Sequence, residues 1–454
     1  MDEQLELDVQ GMTCDSCATH VIKALKSVEG IKEVDVSGGW QSGQATVTAV
    51  ADISAADLEA AVREAGYTAT IKRRQPAGGH VSGNGGGAEY DLMVIGGGSA
   101  GFAAAIKAAE LGYRAAIVEA STIGGTCVNI GCVPSKALIR ATEMVHHAGQ
   151  QRFRGVHTAP GRINWPEVIA HKDELVDSLR QAKYVDVLTG YPNVEYIEGY
   201  ARLTGKNGVE INGKAYAPYR ILIATGAGAW APPIPGLAEA GYLDSTAALD
   251  LKELPKSMIV LGANAVGLEL AQTYARARTF VTVVELLPRI APFEDEEVSA
   301  ALAGYLAEEG MRIVTGFQTS QVAKRDGRYH LTGTLDGAEI TLDAEQLLVA
   351  TGRRPNTANM GLAEAGVKLG KRGEILVDDI LRTGNPAVYA AGDVTGQDMF
   401  VFVAAYHGGV AAENALNGSG VAADTSYIPR VTFTDPQIAS AGLTEAQAQE
   451  QGYN

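Results

Sequence analysis

Cysteine is scarce in this chain of 454 residues: four occur, Cys14, Cys17, Cys127 and Cys132, in two tight pairs. That usage excludes a scattered disulfide framework and suits chemistry in a reducing compartment. No apolar run reaches the roughly 20 residues of a membrane span, and the start, Met1 to Asp8, has neither the basic stretch nor the apolar core of a secretion signal. Positive charge is in deficit, with 37 Lys and Arg against 53 Asp and Glu and a formal net charge of −16. The balance argues against nucleic acid or an anionic membrane as partner and, with the missing signal, predicts a cytoplasmic protein. At about 150 residues per domain the length predicts three domains.

Residues 1–72 read as a unit of their own. Leu5 to Gln10 alternates like a strand, Ser16 to Val28 has apolar residues at helical spacing, and Ile31 to Val36 and Ala45 to Val50 read as strands. Ser54 to Ala65 predicts a second helix, started by Ser54 and Asp57, and Thr68 to Ile71 a last strand, which gives the order βαββαβ. Residues 73–88, rich in Gly and Pro, read as a flexible linker. Further on, Trp165 to Leu188 reads as one long amphipathic helix.

Cys127 and Cys132 lie in Gly124-Gly-Thr-Cys-Val-Asn-Ile-Gly-Cys-Val-Pro-Ser-Lys136. The glycine-rich approach and Pro134 predict that the pair opens a helix, where free N–H groups stabilise thiolate. Lys136 falls one turn after Cys132, so its ammonium can favour a thiolate or an anionic flavin. The segment reads as a redox disulfide rather than two inert buried cysteines. Cys14 and Cys17, two thiols on a loop entering a helix, can clasp one soft ion such as Hg(II) or Cu(I).

Two dinucleotide fingerprints follow. In the first, the strand Asp91 to Ile95 runs into Gly96-x-Gly98-x-x-Gly101 and a helix, and a second strand ends in Glu119, placed to hold a ribose hydroxyl. In the second, Met258 to Leu261 runs into Gly262-x-Asn264-x-x-Gly267, and the next strand ends in Glu285. Asn264 in place of the middle glycine predicts a less close approach to pyrophosphate, and Glu285 favours NADH over NADPH, a preference that nearby Arg289 softens. The repeated Ala-Thr-Gly segments ending at Gly226 and Gly352 predict two related folds, one for FAD and one for the nicotinamide. Asp393 follows a strand and a glycine, where it could hold a ribityl hydroxyl. His407 has no visible carboxylate partner and reads as a surface or packed histidine.

On these motifs, residues 90–454 resemble the flavin-dependent pyridine nucleotide–disulfide oxidoreductases, a family that includes the lipoamide dehydrogenases. Residues 1–72, with Gly11-Met-Thr-Cys14-Asp-Ser-Cys17, are similar to the heavy-metal-associated domain commonly fused to the mercuric-reductase branch. The resemblance implies an α/β fold: a ferredoxin-like βαββαβ metal domain (1–72), the linker (73–88), a FAD domain in two parts (89–235 and 359–424), an NAD(P) domain (236–358) and the start of a dimerisation domain (425–454). It implies FAD contacts at Gly125, Thr126, Lys136, Ala201 and Val401, a catalytic tyrosine at Tyr184 in Ala182-Lys-Tyr184, Cys132 as the flavin-proximal thiolate and Cys127 as the exchanging one. The implied activity is reduction of Hg(II) to elemental mercury by NAD(P)H through FAD and the Cys127–Cys132 pair, which also binds the substrate metal. Cys14 and Cys17 would collect Hg(II) and pass it on. The family's dimerisation domain continues further and carries another cysteine pair, so the chain reads as a truncated form. Two alternatives stand beside this reading: a lipoamide dehydrogenase-like disulfide reductase with a fused metal domain, and a non-catalytic soft-metal-binding protein.

Overall fold

The computed structural model describes residues 2–13, 15–36, 43–50, 53–76, 88–150 and 153–453. It divides into two compact units, Met1–Ser82 and Gly83–Asn454.

The first unit contains β1 (Asp2–Gln10), α1 (Asp15–Lys26), β2 (Ile31–Asp35), β3 (Gln44–Val50), α2 (Ala55–Glu64) and β4 (Thr68–Pro76). Its sheet has the order β2-β3-β1-β4, with every pairing antiparallel. The alternation in β1 and β3 sends Leu5, Leu7, Val9, Ala45, Val47 and Ala49 to one face, where Val21 and Leu25 of α1 and Leu58 and Val62 of α2 cover them. Each Leu or Val among them contributes about 1.5–3 kcal/mol by leaving water, so two helices and one sheet face give a small core of their own. Ser54 caps α2 by accepting from the Asp57 N–H at 3.4 Å. The pairing of β4 with β1 runs on to Pro76, so residues 73–76, predicted as linker, belong to the sheet. Residues 77–87 of that predicted linker lie outside the described residues.

The second unit opens with β5 (Leu92–Ile95), α3 (Ser99–Glu110), β6 (Ala115–Glu119), α4 (Gly125–Ile130), α5 (Cys132–Gly149) and α6 (Trp165–Arg180). A π-helical turn, Gln181–Val185, and α7 (Asp186–Leu188) continue α6. The predicted single helix over 165–188 is therefore interrupted by one wide turn, at Tyr184. Next come β7 (Val194–Glu198), the antiparallel strands β8 (Ala201–Thr204), β9 (Gly208–Ile211) and β10 (Lys214–Tyr216), and β11 (Arg220–Ile223). β12 (Ala227–Ala229), α8 (Leu237–Ala240) and α9 (Ser245–Leu249) lead to the second fingerprint: β13 (Ser257–Leu261), α10 (Ala265–Arg276), β14 (Phe280–Val284), α11 (Glu296–Glu308) and β15 (Arg312–Val314). An antiparallel trio follows, β16 (Gln318–Arg325), β17 (Arg328–Leu335) and β18 (Ala338–Ala344), then β19 (Gln346–Val349), β20 (Arg353–Pro355), β21 (Val388–Ala390), α12 (Val401–Asn417), β22 (Pro429–Thr432), β23 (Ile438–Ala441) and α13 (Glu445–Glu450).

Two parallel sheets organise these elements, β21-β11-β5-β6-β7 and β15-β14-β13-β19. Their central strands are apolar throughout because both faces are covered: β5 and β13 bury Leu92 to Val94 and Met258 to Val260 completely. In each sheet the strand order reverses beside the glycine turn, at the carboxyl ends of the strands, where a crevice for a ligand forms. No helix among the described residues is long and apolar enough to cross a membrane.

Candidate redox active site

Gly96 has φ +116°, and a Cβ there would lie 2.3 Å from the Ala224 carbonyl oxygen. A Cβ on Gly101 would lie 1.9 Å from the Gly96 oxygen, so α3 starts flush against the strand. Glu119 closes the turn from the other side: its Oε2 accepts from the Gly97 N–H at 2.6 Å and its Oε1 from the Ser121 N–H at 2.8 Å. A carboxylate has about four lone-pair sites, so lone pairs remain for ribose hydroxyls. Gly98 caps α3 in extended conformation. The predicted residues Gly96, Gly98, Gly101 and Glu119 thus form one cradle at a helix N-terminus, whose free N–H groups suit a pyrophosphate.

The cysteine segment lies across this cradle. Gly124 donates to the Gly97 carbonyl at 2.8 Å, and a Cβ on Gly125, at φ +65°, would come within 2.6 Å of Gly98 Cα. Asn129 fixes the turn by donating to the carbonyls of Ile123 at 3.0 Å and Gly125 at 2.9 Å, and it accepts from Arg180 at 3.0 Å. The two cysteines do not open one helix, as the sequence suggests. Cys127 and half-buried Thr126 sit in the short α4, while Gly131 breaks the chain and Cys132 begins α5.

Both thiols are free, and each acts on the ionisation of the other. The neighbouring Cys132 and then burial push the pKa of Cys127 up. Cys127 in turn holds Cys132 down to about 7, with help from Lys136 and against the effects of burial and Glu269. Cys132 is thus the readier thiolate, at the amino end of a long helix.

Lys136 lies one turn into α5, and its direct partner is Glu269 of α10, Nζ to Oε2 at 2.7 Å, rather than a sulfur. Its ammonium acts on the cysteines through space and stands 4.5 Å above the Phe433 ring. The sequence reading missed Glu269, which also accepts from the Phe433 N–H at 2.9 Å. Its one signal is a carboxylate between Leu268 and Leu270 on a helix whose residues are mostly buried.

The π turn carries Tyr184 to the same place. Its ring meets Phe102 edge-on at 4.7 Å, its hydroxyl lies 3.4 Å from Ser99 Oγ, and its Cδ2 is 3.3 Å from where a Gly124 Cβ would be. Burial raises its pKa, the nearby sulfurs add to this and Ser99 opposes it, so Tyr184 is a neutral phenol. π turns often mark functional positions.

Asp393 sits in a single 3₁₀ turn after β21. Burial raises its pKa and Arg353, at 3.8 Å, opposes that. Val401 starts α12. Ala201 starts β8 with its methyl group in the core, so only its backbone can face a ligand. His407 is a packed histidine, 1% exposed; its ring nitrogens have no hydrogen-bond partner among the described residues, and burial keeps it neutral.

The second fingerprint repeats the frame. A Cβ on Gly262 would meet the Ala350 oxygen at 2.5 Å and one on Gly267 the Gly262 oxygen at 2.0 Å. Glu285 accepts from the Ala263 N–H at 2.8 Å and the Leu287 N–H at 2.9 Å. Asn264 takes the place of Gly98 in extended backbone, exposed and making no capping bond. In front of it a cavity of about 940 Å³ is lined by Asn264, Arg289, Phe293, Phe400, Arg430 and Thr444.

A family model, pyridine nucleotide-disulphide oxidoreductase, matches residues 90–409. The chain belongs to the pyridine nucleotide-disulphide oxidoreductases. Models of the heavy-metal-associated domain and of this family's dimerisation domain match residues 6–68 and 428–454. The chain is 41% identical over 452 residues to a mercuric reductase of Staphylococcus aureus, covering 99% of this chain and 81% of that one. It is 44% identical over 371 residues to a mercuric reductase of Streptomyces lividans, covering 80% and 77%. In structure it is similar to the HOCl-induced flavoprotein disulfide reductase RclA of Escherichia coli, with a TM-score of 0.71 and 30% identity over 80% of each chain.

In this family setting, the first cradle fits FAD: no Cβ fills it, Glu119 keeps acceptor capacity, Gly124 and Gly125 of the cysteine segment cross it, and Gly392, next to Asp393, packs on Ala100 of α3. Cys17, half-buried on α1 with Thr13 Oγ1 3.8 Å from its sulfur, is the described half of the predicted metal pair. Cys14 lies outside the described residues.

Proposed function

We propose that this chain reduces Hg(II) to elemental mercury with electrons from NAD(P)H, through the Cys127–Cys132 pair. The observation that carries this reading is the pair itself: two free, mutually interacting thiols with Cys132 favoured as thiolate, on a segment laid across a nucleotide cradle in a chain 41% identical to a mercuric reductase.

FAD, when bound in the first cradle, supplies the two-electron link between nicotinamide and sulfur. Gly96, Gly98 and Gly101 admit its pyrophosphate, Glu119 its ribose and Asp393 its ribityl chain, and the backbones of Gly125, Thr126, Ala201 and Val401 border it. The second frame, with Gly262, Gly267 and Glu285, holds NAD(P)H, with NADH preferred because the Glu285 carboxylate repels a 2′-phosphate. Cys132 stays beside the flavin, while Cys127 exchanges with the thiol-bound metal. Together they bind Hg(II), a soft ion that prefers sulfur. Lys136 keeps Cys132 ionised, and Tyr184 presents its phenol to the metal-loaded pair. The overall reaction balances as NAD(P)H + Hg²⁺ → NAD(P)⁺ + H⁺ + Hg⁰.

Cys14 and Cys17 serve as a second soft-metal pair. The reaction takes place in the cytoplasm, where reduced nicotinamide is available, and the matched dimerisation segment supports a homodimer.

The test is Hg(II)-dependent oxidation of NADH and NADPH by the FAD-loaded chain, with lipoamide as the alternative acceptor. The reading expects mercury-dependent turnover, its loss in Cys132→Ala and its persistence when Cys14 and Cys17 are both replaced. Turnover with lipoamide and none with Hg(II) would instead favour the disulfide reductase.

A further inference from the structure

Away from the cysteines, three residues that the reaction does not use come together. α5 runs beyond Lys136 and places Glu143 and His147 four residues apart on one face. The loop after β22 brings Asp435 to them, and one ligand atom from each of Glu143, His147 and Asp435 lies within 4.8 Å of the other two. His147 Nε2 is 2.8 Å from Asp435 Oδ2. From this geometry we propose that Glu143, His147 and Asp435 form a binding site for a hard or borderline divalent transition-metal ion, separate from the soft-metal chemistry of the sulfurs.

The donors are held in advance. Gln272 of α10 grips the Asp435 backbone twice, accepting from its N–H at 2.8 Å and donating to its carbonyl at 2.8 Å. Arg276 donates to Asp435 Oδ2 at 2.8 Å and is itself fixed by Glu309 at 2.6 and 2.8 Å. These bonds take one face of Oδ2 and leave Oδ1 with no partner among the described residues. Glu143 similarly meets Arg140 through Oε2 and keeps Oε1. Bracing of this kind is what orients ligands in metal sites. The three carboxylates Glu143, Asp435 and Glu309 outnumber the guanidinium groups of Arg140 and Arg276 that pair with them by one, and His146, 3.6 Å from Glu309, is kept neutral mainly by burial.

One imidazole and two carboxylates with room for water suit Mn(II), Co(II) or Zn(II), whereas Hg(II) seeks thiolates. The ion would replace the contact between His147 Nε2 and Asp435 Oδ2, with Arg276 still holding the carboxylate from its other side. It would tie α5, which begins at Cys132, to the segment carrying Phe433.

Mn(II) is the useful probe because it has little affinity for thiolates. The oxidised, FAD-loaded full chain is titrated with MnCl₂, and free Mn(II) is read by electron paramagnetic resonance. The proposal expects one Mn(II) bound per chain, with affinity falling about tenfold or more in His147→Ala and in Glu143→Gln. The second variant changes a carboxylate to an amide of the same shape, so it guards against a folding defect in the first. No bound Mn(II), or equal binding by the wild-type chain and Glu143→Gln, would overturn the site. No turnover is involved, so this outcome is independent of the mercury reading.

Discussion

The two nucleotide folds share one frame and differ at its mouth. Each has a left-handed glycine under a facing carbonyl, a helix glycine pressed on the first, and a glutamate that accepts two backbone N–H groups. At the first, Gly98 passes close to Gly125, and the redox segment roofs the crevice. At the second, Asn264 faces an open cavity. The backbone torsions at the two positions are alike, φ −87° and ψ −170° against φ −110° and ψ −173°, so neither needs a glycine for its conformation; a Cβ on Gly98 would just touch Gly125 Cα at 3.6 Å, which leaves little room for a longer side chain beneath the redox segment. A resident cofactor can be covered over, whereas a nucleotide that leaves after every turnover needs an open door.

Equal steric insults should therefore have unequal consequences. Gly101→Ala and Gly267→Ala each push a Cβ to about 2.0 Å or less from a carbonyl oxygen, at a cost of about 3 kcal/mol, roughly a hundredfold in affinity. The first is expected to lose FAD on gel filtration. The second should keep its yellow colour and lose nicotinamide-driven turnover, as stopped-flow reduction will show. If both lose FAD, the division of labour is wrong.

A subtler exchange tests the mouth. Gly98→Asn puts a side chain towards the Gly125 backbone and should weaken FAD retention by about tenfold, corresponding to about 1.4 kcal/mol. The reciprocal Asn264→Gly meets no obstacle and should change the KM for NADH less than about threefold. Glu285→Gln removes the repulsion of a 2′-phosphate and should raise the NADPH-to-NADH ratio of kcat/KM several-fold, with FAD content unchanged.

The smallest effect is on proton affinity. Cys132 is held near 7, so its thiolate is present above that pH and protonated below it, and alkylation of the reduced chain should slow as pH falls through that value. Lys136 lowers this midpoint and Glu269 raises it. Lys136→Met should therefore move the midpoint up, and Glu269→Gln should move it down. Because these partners sit on α5 and α10, the pair of shifts also shows whether the two folds are electrically joined.

Much of this architecture was legible locally. The βαββαβ order, both fingerprints and the glutamates ending β6 and β14 follow from short-range patterns, since alternation, glycine spacing and caps act over a few residues. What escaped depended on distant partners. Lys136 finds Glu269 across 133 positions, and His147 finds Asp435 across 288, which no periodicity records. The π turn at Tyr184 stayed hidden because one extra residue in a turn leaves an amphipathic pattern almost intact, and the split of the cysteines between α4 and α5 depends on the backbone at Gly131, φ −133° and ψ −112°. Burial of His407 likewise required knowing that α12 lies on α3, where a Cβ on Gly408 would meet the Ala100 oxygen at 2.1 Å.

The most direct test is reductive titration of the FAD-loaded chain with dithionite, following absorbance and free thiols together. The account predicts that the first two electrons per chain produce two thiols and a long-wavelength absorbance from the Cys132 thiolate against the flavin, before the flavin itself bleaches. Immediate bleaching with no such absorbance and no new thiols would show that the sulfur pair does not receive the electrons.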